Sequence, residues 1–108
     1  MPDRYFVVLT TAGSDDEAET LARELVTRRL AACVNIAPVS SVYRWNGEVQ
    51  REEERLLVVK TAERLIDRVT ETIHELHSYE TPEVIAMPIE RGSTDYLEWL
   101  GASLAPPD

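Results

Sequence analysis

Cysteine is almost absent from this sequence, since Cys33 is the single copy among 108 residues. One cysteine cannot form a disulfide within the chain, and it cannot supply the several thiolates of a structural zinc site. Long apolar runs are also missing. The run at residues 5–9 is shorter than the apolar core of a secretory signal, and none reaches the roughly 20 residues of a membrane helix. We therefore expect a cytoplasmic protein that does not enter a membrane.

Basic residues are few, with 11 lysines and arginines against 20 aspartates and glutamates and a formal net charge of −9. Such a charge repels nucleic acid phosphates and anionic lipids, so cations or other proteins are the expected partners. The hydrophobic share of 44% and the charged share of 29% are ordinary for a soluble globular protein. A chain of this length predicts a single domain, residues 1–108.

The predicted elements alternate between strands and helices. Residues 5–10 are aromatic and β-branched, which favours a buried strand. Ser14, with Glu17 three residues later, forms a capping box that begins a helix with one apolar face. A hydroxyl at Thr61 can cap a second helix, and residues 84–87 form a short strand ending at a proline.

A last helix follows Ser93, and residues 105–107 read as a loose tail. The order is strand, helix, strand, strand, helix, strand, with a short C-terminal helix, which is the split βαβ pattern of ferredoxin-like α+β sandwiches. We expect both main helices to cover one face of the sheet. The strands show little polar alternation, so the other face should also be buried, most simply by another subunit.

The central hairpin is unusually long for a chain of this size. Asn46 and Gly47 favour a two-residue turn between two arms, residues 31–44 and 48–61. Each arm would span about 46 Å at roughly 3.3 Å per residue, whereas a compact domain of this length is about 34 Å across. Pro38 lacks a hydrogen-bond donor, which predicts a bend or bulge near it. The overhanging hairpin should pair with other subunits in a closed ring.

Several segments together resemble the CutA divalent-cation tolerance family. They are RLAACVNI (29–36), YRWNG (43–47), KT (60–61), HSYETPE (77–83) and YLEWL (96–100). The resemblance covers nearly the whole chain. It implies a ferredoxin-like homotrimer with long hairpins around a threefold axis, and a role in tolerance to divalent metals, often copper, or in signalling.

His77 and Cys33 are the candidate metal ligands. His77 matches the family motif, whereas Cys33 among apolar neighbours fits a packing role better than a ligand role. Copper ligands of some family members correspond here to Thr10 and Leu76, neither of which is a soft ligand. The resemblance therefore implies weak binding, in which acidic oxygens hold a divalent ion such as calcium, magnesium or manganese.

Five polar residues are expected to form an intersubunit cleft: Glu54, Lys60, Tyr79, Glu80 and Glu83. An ion-paired interface is an equal alternative. Three aromatic residues are expected to serve assembly: Tyr43, Trp45 and Trp99.

Enzyme signatures are missing, including the nucleophile elbow, the P-loop and the zinc-protease helix. We therefore interpret the chain as a trimeric metal-response protein that binds divalent ions weakly at intersubunit sites, without catalysis. One alternative is a sensor similar to the PII family, which would hold a small ligand or a partner protein in the cleft. Another is a scaffold that recruits an unidentified protein partner.

Overall fold

Strands and helices occur in the predicted order in the computed structural model, which describes residues 3–107. The strands are β1 (Tyr5–Ala12), β2 (Cys33–Trp45), β3 (Glu48–Ala62) and β4 (Ile85–Pro88). The helices are α1 (Asp15–Thr27), α2 (Ile66–Leu76) and α3 (Thr94–Ser103), and a 3-10 turn (Glu63–Leu65) precedes α2. Ser14 caps α1, as the capping box predicts, and Ser93 caps α3.

The four strands form one antiparallel sheet in the order β2-β3-β1-β4. The two strands that carry the α1 and α2 connections therefore lie together in the middle of the sheet. Alternate residues of β1 and β3 are fully buried, among them Val8, Leu57 and Val59. They share one core with Leu21 of α1 and Ile73 of α2, so both helices contribute to the same buried layer. The α+β split βαβ fold class is confirmed.

The hairpin of β2 and β3 extends well beyond this core. Its 13 and 15 residues stay paired from Cys33 opposite Lys60 to Trp45 opposite Glu48. Asn46 and Gly47 have φ angles of 52° and 80°, as a two-residue hairpin turn requires. The molecule is 46 Å long but only 25 by 21 Å across, so the hairpin projects as its length predicts.

The strand has no bulge at Pro38. Pro38 lies directly opposite Arg55 in an uninterrupted register, and β2 stays in the sheet along its whole length. A proline is compatible with this position because β2 is an edge strand, whose outer N–H groups have no strand partner within the chain.

Two local predictions are wrong because the residues concerned form hydrogen bonds to distant parts of the chain. Thr61 does not cap a helix: it lies in β3, and its hydroxyl donates to the Leu30 carbonyl at 2.6 Å. The tail is not loose at Ala105, whose N–H donates to the Arg29 carbonyl at 2.8 Å. The Ala105 carbonyl in turn accepts from Arg64 at 2.7 Å. These two hydrogen bonds attach the C-terminal segment to the chain after α1 and to the 3-10 turn before α2.

The sheet face opposite the core remains partly uncovered. A methyl group added to Gly101 of α3 would lie 2.2 Å from the Tyr5 hydroxyl, so α3 packs closely over the start of β1. Farther along, Leu9 lies opposite Ile85 and Val7 opposite Met87. Ile85 and Met87 are 52% and 46% exposed. This apolar face is the surface that the sequence assigns to another subunit.

Candidate functional site

A concave cleft opens between the hairpin and the loop that follows α2, residues 77–83, called here the 77–83 loop. Its volume is about 710 Å³. Four carboxylate residues and three aromatic residues dominate its lining: Glu52, Glu54, Glu80, Glu83, Tyr43, Trp45 and Tyr79. No lysine, arginine or histidine lines it within the described part of the chain. The cleft is therefore acidic and aromatic.

Glu54 and Tyr79 join the two walls of the cleft. The Tyr79 hydroxyl donates to Glu54 Oε2 at 2.8 Å, and Glu54 is buried. Burial, followed by the hydrogen bond to Glu54 and the charges of Glu54 and Glu52, raises the pKa of Tyr79 well above its ordinary value. Burial and the same two carboxylates also raise the pKa of Tyr43. Both phenols therefore keep their protons at neutral pH.

His77 and Glu17 hold the 77–83 loop against the rest of the fold. The side chain of His77 is fully buried, and its Nε2 lies 2.6 Å from the Thr11 carbonyl. Its Nδ1 accepts from the Tyr79 N–H at 3.0 Å, so Nε2 carries the proton donated to Thr11. Glu17 accepts from the Ser78 N–H at 3.1 Å. These contacts position Tyr79, and through it one wall of the cleft.

Glu17 also makes this attachment sensitive to acid. Burial alone would raise the pKa of Glu17. The hydrogen bonds that Glu17 accepts from Ser78 and from the Gly13 N–H act in the opposite direction, and the pKa of Glu17 is lowered below its ordinary value of 4.5. A carboxyl with a lowered folded-state pKa stabilises the fold above its unfolded-state pKa, and this contribution is lost as the pH falls through the folded value.

We expect Glu17→Gln to lower the free energy of unfolding by about 1 kcal/mol at pH 7, because a neutral amide accepts hydrogen bonds less strongly. The difference from the unmodified protein should become smaller at about pH 3, because a growing fraction of Glu17 is then protonated in the folded state as well. Urea unfolding at the two pH values measures this. Glu19→Gln, in an exposed pair with Arg23, is the control and should show little effect at either pH. A loss for Glu17→Gln that persists undiminished in acid would contradict the assignment.

The predicted metal ligand His77 has no free ring nitrogen in this structure. A metal ion at either nitrogen would have to displace the Thr11 carbonyl or the Tyr79 N–H. Leu76 precedes it in place of a second histidine, and the Thr10 hydroxyl is buried without a hydrogen-bond partner. His77 therefore has a structural role in this chain. The sequence shows that His77 is close to Tyr79 along the chain, but it does not show the hydrogen bonds that define this role.

Cys33 and Lys60 lie together, outside the cleft. Cys33 Sγ is half-buried and 3.9 Å from Lys60 Nζ, and Lys60 also bonds to the Asn35 side-chain oxygen. Burial, followed by the proximity of Cys33, raises the pKa of Tyr96. An ammonium this close opposes a cation at the sulfur. Of the five residues predicted for the cleft, Lys60 is the one that does not line it.

The three residues predicted to serve assembly lie in two different parts of the structure. Trp45 and Tyr43 line the cleft from the hairpin, and Trp45 is 49% exposed. Trp99 lies on α3, where its ring centroid is 5.4 Å from that of Tyr96 and both rings are largely exposed. Sequence reasoning missed the contribution of Tyr43, Trp45 and Glu52 to the cleft because they come from the projecting part of the hairpin.

The side chains of one subunit do not fit a preformed metal centre. Within residues 3–107, no three histidine, cysteine, aspartate or glutamate side chains are grouped closely enough to hold an ion. The same residues contain no helix that is long and apolar enough to cross a membrane.

The split βαβ fold with an acidic cleft beside a projecting hairpin defines a class of small α+β domains. A family model described as "CutA1 divalent ion tolerance protein" matches residues 6–103, and the chain belongs to this family. It is 48% identical over 95 residues to the divalent-cation tolerance protein CutA of Thermus thermophilus, covering 87% of this chain and 92% of that protein.

A relative from Oryza sativa, the chloroplastic protein CutA 1, is 47% identical over 95 residues. The match covers 87% of this chain and 54% of the rice protein, so the chain spans about half the length of that relative. The crystal structure of CutA1 from Oryza sativa superposes with a TM-score of 0.94 at 43% identity, covering 97% of each chain. The family name describes a tolerance protein, and the comparisons name no catalytic activity.

Proposed function

We propose that this protein is a homotrimer that takes part in tolerance to divalent cations and binds them weakly at intersubunit sites. The observation that carries the assembly is the projecting hairpin. Val42 and Val49 near its tip are 67% and 68% exposed, and burying such side chains is favourable only against another surface.

The two free edges of the sheet support a ring. β2 and β4 lie at opposite edges, so each has backbone groups without a strand partner within the chain. An edge of one subunit pairing with the opposite edge of the next is a head-to-tail contact, which closes into a ring when the rotation allows. The exposed apolar side chains Ile85 and Met87 lie on β4, beside one of these edges.

Weak cation binding is supported by the carboxylates of the cleft. Glu52, Glu80 and Glu83 are exposed around its rim. Oxygen ligands suit calcium, magnesium and manganese, and a neighbouring subunit that closes over the cleft would add the ligands that one subunit lacks. Copper is disfavoured as the ion of this site because it prefers nitrogen and sulfur ligands.

Light scattering at low protein concentration tests the assembly. We expect a mass of three times 12.2 kDa with and without a chelator, because the proposed contacts are made by strand edges and apolar side chains. A monomer would contradict the trimer. Calorimetry with Mn²⁺ and Mg²⁺ tests the cation sites, and dissociation constants weaker than ~1 mM for both ions would remove the chemical basis of the proposal.

A sensor for a small ligand in the same cleft is the second candidate function. The absence of basic side chains from the lining, within the described residues, argues against nucleotides and other anions as its ligand. The cytoplasmic location stays a prediction.

A further inference from the structure

Glu54 is a buried carboxylate without a cationic partner. It is 5% exposed, and it accepts one hydrogen bond, from Tyr79 at 2.8 Å. None of the ion pairs formed by residues 3–107 involves Glu54. Removing an ionised carboxylate from water is unfavourable unless a positive group compensates for the lost hydration. A cation that enters the cleft would supply the positive group that the described residues do not place beside Glu54.

Three aromatic residues line the same cleft as this carboxylate. Tyr43 and Trp45 reach the cleft from the hairpin, and Tyr79 reaches it from the 77–83 loop. Tyrosine and tryptophan rings attract cations through their negative faces, and ammonium and guanidinium groups are bound by proteins in this way. Both phenols are neutral, so they add hydrogen-bonding groups without adding charge.

These surroundings suit an organic cation better than a bare metal ion. A calcium-sized ion needs six or more oxygen ligands at close range, and the described residues of one chain group no three metal-ligating side chains. An ammonium or guanidinium group needs one carboxylate, aromatic faces and a few hydroxyl groups, such as those of Ser40 and Thr81 in the lining. The volume of about 710 Å³ is within the usual range of small-molecule sites.

We propose that the cleft binds an organic cation that carries an ammonium or guanidinium group, with Glu54 as its charge partner and the rings of Tyr43 and Tyr79 against its face. The residues that carry this site all belong to one chain, so the inference goes beyond the proposed trimer and does not depend on it. The cation has two sources: a free small amine, or a lysine or arginine side chain of a neighbouring copy.

Agmatine, which carries both an ammonium and a guanidinium group, is the probe. In a Trp99→Phe background, Trp45 is the one remaining tryptophan, so its fluorescence reports on the cleft alone. We expect a saturable change on titration with agmatine at constant ionic strength. Glu54→Gln keeps the size of the side chain and its acceptor for Tyr79, and it should weaken binding about thirtyfold because it removes the buried charge.

Glu71→Gln is the matched control, since Glu71 is exposed on α2 and outside the cleft. It changes the net charge by the same amount and should leave agmatine binding unchanged. Circular dichroism verifies that both variants fold. Equal binding to the two variants would show general attraction to an acidic protein and would overturn the proposal.

The two sources give different results in light scattering. If a free amine is the ligand, agmatine binds and Glu54→Gln leaves the mass in solution unchanged. If a neighbour supplies the cation, agmatine does not bind the assembled protein, and Glu54→Gln shifts dissociation of the assembly to higher protein concentration. No agmatine binding together with unchanged assembly in Glu54→Gln would overturn the proposal. A monomeric unmodified protein that binds agmatine through Glu54 would contradict the trimer alone.

Discussion

His77→Ala is expected to lower the free energy of unfolding by about 3 kcal/mol, because it leaves two backbone groups without partners and creates a cavity. The ring is fully buried, bonded to the Thr11 carbonyl and the Tyr79 N–H, and packed against the Tyr79 ring at a centroid distance of 4.6 Å. Urea unfolding measures the change. The variant should also weaken agmatine binding, since the 77–83 loop then no longer holds Tyr79 against Glu54.

His74→Ala is the control for this prediction. His74 lies one turn earlier on α2 and is exposed, so its removal should change the free energy of unfolding by less than about 0.5 kcal/mol. Equal stability of the two variants would show that His77 does not have the structural role assigned here. If His77→Ala instead abolished Mn²⁺ binding while keeping its stability, His77 would be a metal ligand as the family motif predicts.

A double variant, Ile85→Asp with Met87→Asp, is expected to convert the trimer into a monomer of 12.2 kDa in light scattering. Both side chains are about half exposed in the single chain, so aspartate is tolerated within one subunit. In the proposed assembly the same positions are covered, and each carboxylate would be buried without a partner. The subunit should keep its helix and strand content by circular dichroism.

Val26→Asp provides the matched control for assembly. Val26 is an apolar residue on α1 with 42% exposure, on the opposite side of the sheet from the uncovered face. This variant should remain a trimer. Dissociation of both variants would indicate a general loss of stability, and a trimeric double variant would show that β4 does not contribute to the interface.

Local patterns were sufficient to predict much of the fold. The Ser14 cap, the Asn46-Gly47 turn and the strand-helix order depend on neighbouring residues in the sequence, and the structure confirms them. Thr61 was mistaken for a cap because a threonine before a helical stripe can bond locally. Its actual partner, the Leu30 carbonyl, is 31 residues away.

The candidate site was predicted only in part, for a related reason. Glu54, Glu80 and Glu83 line one cleft with Tyr79, whereas the function of these residues stays a prediction. Lys60 lies in another cluster, beside Cys33, and Trp45 lines the cleft. Both positions depend on the register of the long hairpin. The sequence does not give this register, so it does not show which side chains lie close together.

The sequence by itself determined the class of fold, the long hairpin, the acidic charge and the family, because these depend on composition, periodicity and short motifs. Only the tertiary structure decided which groups have partners. In this structure both nitrogens of His77 bond to backbone groups, and Lys60 lies beside Cys33. Glu54 is buried with one hydrogen bond and no cationic partner among the described residues. The physical reason is that hydrogen bonds and charge pairs act over a few ångströms in space, between residues that are far apart in the sequence.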